Sequence, residues 1–412
     1  TDSVRGASVF LESDTNNAET SASTTFDSFD ANGFTVDDAA RTNRGTMVAW
    51  GWLAGGTAPT QTYTVKVVSD SGNKYRFDDF GSSAVTLNLQ EGGTYTFDQS
   101  DSSNSGHPLR FSTTSDGTHG GGSEYTTNVT TTGTAGSAGA KTVITVASSA
   151  PTLYYYCTQH SGMGGQANTN STHGSSNFSG SIQSTVSANT TAGFSIVKYD
   201  GNNNGTTTTI GHGLGGVPDM YIVKSLDSTG DWQTYHNGMS SDPKTDYIQL
   251  NNSAAVADYT FWGDTAPTSS VFTVKDGNDV NENGEEFIAF CFKSIKGYSK
   301  FGSFVGTGNS NGPFIWTGFS PAFIIGKNAD KDDDWFMLDN KRDTFNPVDQ
   351  RLQPNSRGTE STVTSLGIDF LANGFKLKGA TGQYNVSGQT TIYMAFAENP
   401  FVTSTGIPTT AK

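Results

Sequence analysis

One phrase recurs along the chain, and it constrains the fold more than any other feature. FDANGF, Phe29 to Phe34, returns as FLANGF, Phe370 to Phe375, and each copy runs on into a strand pattern in which Ala49-Trp50 matches Ala395-Phe396. DSVRG at Asp2 likewise matches DNKRD at Asp339. A weaker copy in the middle sets Ala289-Phe290 at the same place, and its front half, with Asp231-Trp232, parallels the stretch around Asp334-Trp335. The chain thus reads as copies of one module. Residues 194–297 and 298–402 are full copies, and residues 1–56 are only the back half of one. Half a sandwich leaves an apolar sheet face uncovered. Residues 1–56, ending in the strand pattern GTMVAWGW, are therefore expected to be completed by an upstream segment or a neighbouring subunit, not to close as an independent domain. The sequence opens on Thr1 without a recognisable signal peptide, and something upstream is expected to have been lost.

Inside the copies, apolar and polar residues alternate over five to eight positions, as in Met220 to Lys224 and Phe272 to Lys275, which gives each strand one packed and one wet face. Hydrophobic residues make up 33% and charged residues 15%, with 49 glycines, a balance that suits short strands joined by many turns. No long amphipathic helical pattern is visible, so an all-β protein is expected. Trp50, Trp232, Trp262, Trp316 and Trp335 fall in or beside strand patterns and are read as core packing rather than as a sugar platform. Residues 60–167 change character: TYTVKVV, TLNLQ, TYTFD, PLRFS, KTVITVA and LYYYC are separated by turns at the spacing of a Greek-key sandwich. The Ser/Thr/Asn-rich stretch 168–193 reads as a linker, and 403–412 as a C-terminal tail.

The formal net charge is -15, and the 24 basic residues are scattered, which argues against binding a nucleic-acid backbone. No run of about eighteen apolar residues exists, so no membrane span is expected. The two cysteines fall in different modules, and Cys291, in the apolar strand EFIAFCFK, reads as a small buried hydrophobe.

Soft metal-ligand chemistry is concentrated in YYYCTQHSGMGG, Tyr154 to Gly165. Cys157, His160 and Met163 offer a thiolate, an imidazole and a thioether at a strand end and on the loop after it, a set that suits copper better than zinc or calcium. His107, in GHPLRF, is the natural second imidazole, because it too stands where a glycine turn enters a strand. The other motifs carry less. DGNNNG at Asp200 and DVNENG at Asp279 start like calcium loops but put Gly211 and Phe290 where a carboxylate is needed. ADKDDDW, Ala329 to Trp335, reads as a solvated acidic loop. His119, His173, His212 and His236 read as surface or turn residues, and GHGLGG, Gly211 to Gly216, lacks the helix and lysine of a phosphate loop. No arrangement of nucleophile and base, and no carboxylate pair, marks a catalytic site.

Two resemblances follow from these residues. Residues 60–167 resemble a cupredoxin domain, with C-T-Q-H-S-G-M at the spacing of the amicyanin-like copper loop and His107 about fifty residues upstream. That resemblance implies a type 1 copper site, with His107, Cys157 and His160 as the trigonal set and Met163 as the weak axial ligand. Around it, NFSGSIQSTVSANTTAGFSIVKYDGN and IGHGLGGVPDMYIVK are similar to repeats in structural proteins of tailed bacteriophages, particularly marine ones. This implies a virion component, a tail fibre, an appendage, or a capsid fibre or decoration protein, exposed to the extracellular medium. The expected partners are further copies of the chain, other virion proteins and a host-surface glycan or receptor, and no enzyme activity is expected. Two other readings stay open: a copper-binding electron carrier, and a carbohydrate-binding cell-surface adhesin.

Overall fold

The computed structural model describes residues 1–21, 25–30, 33–37, 45–203, 205–275, 277, 279–379 and 382–398. It is an all-β protein whose sheets are joined by turns and by short 3-10 segments, and no helix is long and apolar enough to cross a membrane. The expected tail, 403–412, lies outside the described residues.

The first sandwich holds the strand patterns read between 60 and 167. Thr60–Ser69, Asn73–Phe77, Thr94–Asp98, Lys141–Thr145 and Val129–Thr132 form one sheet, and Leu87–Gln90, Gly165–Asn170, Leu153–Cys157 and Leu109–Ser112 form the other. Alternation turns Tyr63, Tyr75, Phe77, Tyr95, Phe97, Phe111 and Tyr155 between the two sheets, and all are buried. Burying an aromatic side chain removes about 150–250 Å² from water, roughly 4–6 kcal/mol each before entropy is counted, so these rings are the main cement of the domain. The strand that closes the second sheet is polar, since of its six residues only Ala167 is fully buried.

The stretch expected as a linker is folded. Its first residues finish the closing strand Gly165–Asn170, and Ser175–Asn177 and Ser184–Asn189 form the edge of the eight-stranded sheet of the next module. Serine and threonine serve here because edge strands need backbone pairing more than apolar side chains. The joint is tied on both sides: Tyr63 Oη donates to Ser176 O at 2.8 Å, Tyr95 Oη lies 2.6 Å from Ser175 Oγ, and Phe178 packs into the first sandwich beside Tyr63 and Phe77.

The repeats are copies in structure as well as in sequence. In the second copy Phe194–Asp200, Glu286–Phe292 and Met220–Ser225 pair in that order; in the third, Ser299–Val305, Thr390–Ala397 and Pro321–Asn328 do the same. Lys224 and Lys327 occupy equivalent positions and cap two carbonyl oxygens each, Ser225 O and Ser228 O, and Asn328 O and Lys331 O. Burial pulls both ammonium groups down to about 8, against the pull of nearby aspartates. Asp231 and Asp334 each accept from a Gln and an Asn side chain, Gln249 and Asn251 in one copy and Gln353 and Asn355 in the other. At the other matched phrase, Asp2 and Asp339 each accept two backbone N–H groups at 3.0 Å and pair with Arg5 and Arg342.

The copies interlock through one repeated joint. Trp232 Nε1 donates to Thr15 O at 3.1 Å, Glu19 N to Leu226 O and Gly230 N to Asn16 O, joining the second copy to the first. Trp335 Nε1 donates to Gln249 O at 2.8 Å, Val256 N to Ala329 O and Asp333 N to Ser253 O, joining the third to the second. The three copies share a core in which Trp52 lies within about 6 Å of the rings of Phe292, Phe323 and Phe396. Residues 1–56 therefore form no closed domain of their own. The expected strand GTMVAWGW is not one: Met47 to Ala54 alternate in burial, with Trp50, Trp52 and Ala54 turned to the core, yet they pair with no strand among the described residues. In the full copies the equivalent strand lies between two others, and neither counterpart is found among the described residues.

Candidate metal centre

The second sheet of the first sandwich builds the site. Antiparallel pairing of Leu153–Cys157 with Leu109–Ser112 sets Cys157 opposite Leu109, so the turn carrying His107 arrives beside the thiol. That turn is fixed from below. Asn104, fully buried, donates through Nδ2 to Val65 O at 2.7 Å and accepts the His107 N–H at 2.8 Å, while His107 O accepts from Tyr75 Oη and from Gln99 Nε2, both at 2.9 Å. Every polar group that holds the turn is thus itself held.

The loop after Cys157 is pinned as firmly. Asp116 Oδ1 accepts Gly162 N at 2.8 Å, Lys74 Nζ donates to Gly162 O, and Tyr75 N donates to Met163 O at 3.0 Å. Gly164 follows where two backbones touch: a Cβ there would lie 1.6 Å from Tyr155 O. Gly164→Ala must therefore push the loop off the strand, at a cost on the order of 3 kcal/mol. A lowered melting temperature and a displaced His160 are expected; an alanine variant with unchanged melting and unchanged metal uptake would show that the loop has room.

His107, Cys157 and His160 meet. Cys157 Sγ lies 3.8 Å from His107 Nδ1 and 3.8 Å from His160 Nδ1, and the three donor atoms all fall within 4.8 Å of one another. One ion bonded to sulfur at about 2.3 Å and nitrogen at about 2.0 Å, with trigonal angles, separates S from N by roughly 3.7 Å. Both sulfur-to-nitrogen spacings match that triangle. Met163 is 1% exposed and shares the core of the first sandwich with Cys157, so the fourth residue read from the sequence is on the buried side of the loop. Burial grades across the triangle, with Cys157 buried, His107 half-buried and His160 exposed. Burial and the neighbouring His160 both hold the His107 imidazole below its usual range, which keeps it neutral and free to ligate.

One neighbour escaped the sequence reading. His119 places Nε2 3.1 Å from Cys157 O, on the glycine turn that carries Asp116. A backbone carbonyl acceptor leaves no sequence signature, so nothing in the order of residues pointed to it.

The remaining motifs serve packing. The four aspartates of Asp330 to Asp334 each bind a separate partner: Asp330 accepts Thr390 N, Asp332 accepts Ala255 N, Asp333 pairs with Lys331, and Asp334 holds Gln353 and Asn355. Asp279 accepts from Gln233 at 2.6 Å. His212 and His236 are not surface residues: both are buried, with Nε2 against Thr268 O and Tyr393 O and with Nδ1 accepting Leu214 N and Gly238 N. Trp232, Trp262 and Trp335 are core residues as expected, but Trp316 is 59% exposed, with Lys300 Nζ 4.6 Å above its ring. Both cysteines are free, and burial pushes the Cys291 thiol far up. Among the described residues, His107, Cys157 and His160 are the only group of three or more His, Cys, Asp or Glu side chains close enough to share an ion.

Residues 1–77 and 108–400 match one protein family, described as a domain of unknown function (DUF7483). Cys157, His160 and Met163 fall inside the matched segments, and His107 stands one residue outside them. No curated protein matches the sequence, and no solved structure matches the fold.

Proposed function

We propose a structural role for this chain, which belongs to the DUF7483 family: it is a component of the exterior of a tailed-phage virion, and its first sandwich holds one copper ion. The copper assignment is carried by a single observation, the triangle of one buried thiol and two imidazoles at 3.8 Å, backed by a buried thioether on the same loop. A thiolate, two imidazoles and a weak thioether select copper over harder ions. Bound there, copper supplies one-electron redox chemistry. The chain's own part is to keep the geometry: Asn104, Gln99 and Tyr75 hold the His107 turn, and Asp116 and Lys74 hold the loop of His160.

The structural role is supported by the repeated phrases and by the joint that passes a Trp N–H from each copy to the backbone of the one before it. Such a joint locks modules into a stiff body, which suits a fibre, appendage or decoration protein assembled with further copies and other virion proteins. Contact with a host-surface glycan is supported by Trp316, an indole that stays 59% exposed beside Lys300. A second reading, an electron carrier, is favoured by the exposed edge of His160, through which an electron would enter or leave.

Copper content and the visible spectrum of the purified chain test the site. One copper per chain with an intense thiolate-to-copper band is expected, and a chain that takes up none from excess Cu(II) or Cu(I) ends the assignment. Mass spectrometry of purified particles tests the role: the chain should copurify with virions through a density gradient, and its presence only in free solution, with reversible one-electron reduction, would move the conclusion to the electron carrier.

A further inference from the structure

One corner of the repeat is filled in the first and third copies and open in the second. In the first, Arg5 reaches Glu19 at 2.6 Å; in the third, Arg342 reaches Glu360 at 3.0 Å. Met239 holds the arginine's place in the second copy, since it follows His236 by three residues as Arg5 and Arg342 follow Asp2 and Asp339. Val256 holds the glutamate's place, since its N–H donates to Ala329 O as that of Glu19 donates to Leu226 O. Where this apolar pair replaces the ion pair, a cleft of about 680 Å³ opens at the joint. Met239 and Val256 line it from the second copy, and Ser303 to Val305, Asp330 and Thr390 line it from the third. Gly238 lets the two walls approach: a Cβ on it would lie 2.9 Å from Ser303 Oγ, whereas the other copies carry Val4 and Lys341 at this position.

The lining defines the guest. Met239, Val256 and the half-buried ring of Phe304 offer apolar contact. The hydroxyls of Ser241, Ser303 and Thr390 bond to no protein group among the described residues. Asp330 Oδ2 accepts Thr390 N at 2.6 Å, which fixes the carboxylate at the mouth and leaves Oδ1 to accept from a guest. No Lys, Arg or His side chain lines the cleft among the described residues, so an anionic guest would meet the Asp330 carboxylate with no counter-charge. Apolar walls beside open hydroxyls and one carboxylate acceptor complement a sugar ring, which has C–H faces and a rim of donor hydroxyls. We propose that this cleft binds a neutral mono- or disaccharide unit, with the sugar hydroxyls on Asp330 and the serine and threonine side chains and a C–H face toward Phe304 and Met239. Because its walls come from two copies, a bound sugar also ties the second copy to the third. Neither Trp316 nor any of the copper residues lines the cleft, so the site goes beyond the glycan contact at the indole and does not involve the metal.

The test applies the full chain to an array of neutral oligosaccharides of glucose, galactose, mannose and N-acetylglucosamine, with uronate- and sulfate-bearing counterparts, and titrates the best binder in solution. Saturable binding of one neutral sugar per chain is expected, with slowed hydrogen exchange at Gly238 and Thr390, whose N–H groups are held by His236 and Asp330 at the cleft. Asp330→Asn keeps an oxygen for Thr390 N and removes the charged acceptor, and should weaken binding at least ~10-fold. Ser241→Trp fills the cleft from its exposed rim and should abolish binding with the melting temperature unchanged. The triple variant His236→Asp, Met239→Arg, Val256→Glu rebuilds the ion pair of the other copies and should abolish binding too, so that misfolding of one variant cannot mask the result. An array on which no sugar binds overturns the proposal, as does a preference for the acidic forms, or tighter binding of agmatine, a guanidinium probe, than of any sugar. Binding kept by Asp330→Asn and Ser241→Trp but lost in Trp316→Ala overturns the cleft site while leaving the glycan contact at the indole standing.

Discussion

Cys157→Ser is expected to take up no copper above background and to lose the thiolate-to-copper band, with an affinity loss of more than ~100-fold. The side chain is fully buried, with the two imidazoles and the Tyr75 hydroxyl as its polar neighbours, so exchanging sulfur for oxygen removes the one soft anionic ligand while leaving volume nearly unchanged. The fold should survive. A buried hydroxyl in place of the thiol costs about 1–2 kcal/mol, and the surrounding strands are held by their own ladders. A melting temperature lowered by only about 3–6 °C is therefore expected. His119→Ala is the contrasting change. It removes only the contact with Cys157 O, and at most ~10-fold in affinity should go with it, the size of an outer-partner effect. Titration with Cu(I) and Cu(II) under matched competition separates the two variants. Retention of both copper and band by the serine variant would place the metal elsewhere.

The strands of this sandwich, and the residues that meet at its candidate site, were legible because both leave marks in the residue order. Alternation wrote Tyr63, Val65, Tyr95 and Phe97 into strands, and the Cys, His and Met spacing wrote the loop. What the sequence did not declare was made by backbone. The polar closing strand Gly165–Asn170 buries only Ala167 fully, so its pattern carries no apolar period, and the segment that follows it was taken for a linker for the same reason. The tie beneath His107 comes from Asn104, three residues upstream, whose Nδ2 donates to main-chain oxygens of a distant strand and of its own turn. The joint between copies is invisible for a related reason: Trp232 and Trp335 were read correctly as buried, but their acceptors are carbonyl oxygens that any residue can offer. Failure of the strand expectation at Met47 to Ala54 is the most informative, since its pattern is right. A strand is made by its neighbours as much as by its own residues, and here the neighbours present in both full copies have no counterpart among the described residues.

Acid should loosen the second copy from the third through His236. In the first and third copies the residue at this place is Asp2 or Asp339, whose carboxylate accepts the N–H two residues on. The second copy uses His236 for the same work: Nδ1 accepts Gly238 N at 3.0 Å, which leaves Nε2–H to donate to Tyr393 O, 3.3 Å away in the third copy. A proton on Nδ1 would destroy the first bond and set a charge in a site that is 1% exposed. Burial accordingly pulls the imidazole down to about 4, against the opposing pull of Tyr393 O. Because the folded value lies below the unfolded one of about 6.5, the neutral ring's contribution is fully present above pH ~6.5 and is lost as pH falls towards 4. At 1.36 kcal/mol per unit, the loss across that window is about 3 kcal/mol. Buried carboxyls held above their usual range, Asp200 and Asp279 among them, act in the opposite sense, so the whole-chain profile is shallower than this single group's. Subtracting a variant isolates it. His236→Gln offers an amide oxygen to Gly238 N and an amide N–H to Tyr393 O without a titrating centre. The gap in stability between the native chain and this variant should shift by about 3 kcal/mol in the variant's favour between pH 7 and pH 4, read as urea midpoints or as protease cleavage between the second and third copies. Parallel pH profiles for the two proteins would show that His236 titrates at an ordinary value and that the joint opens without it.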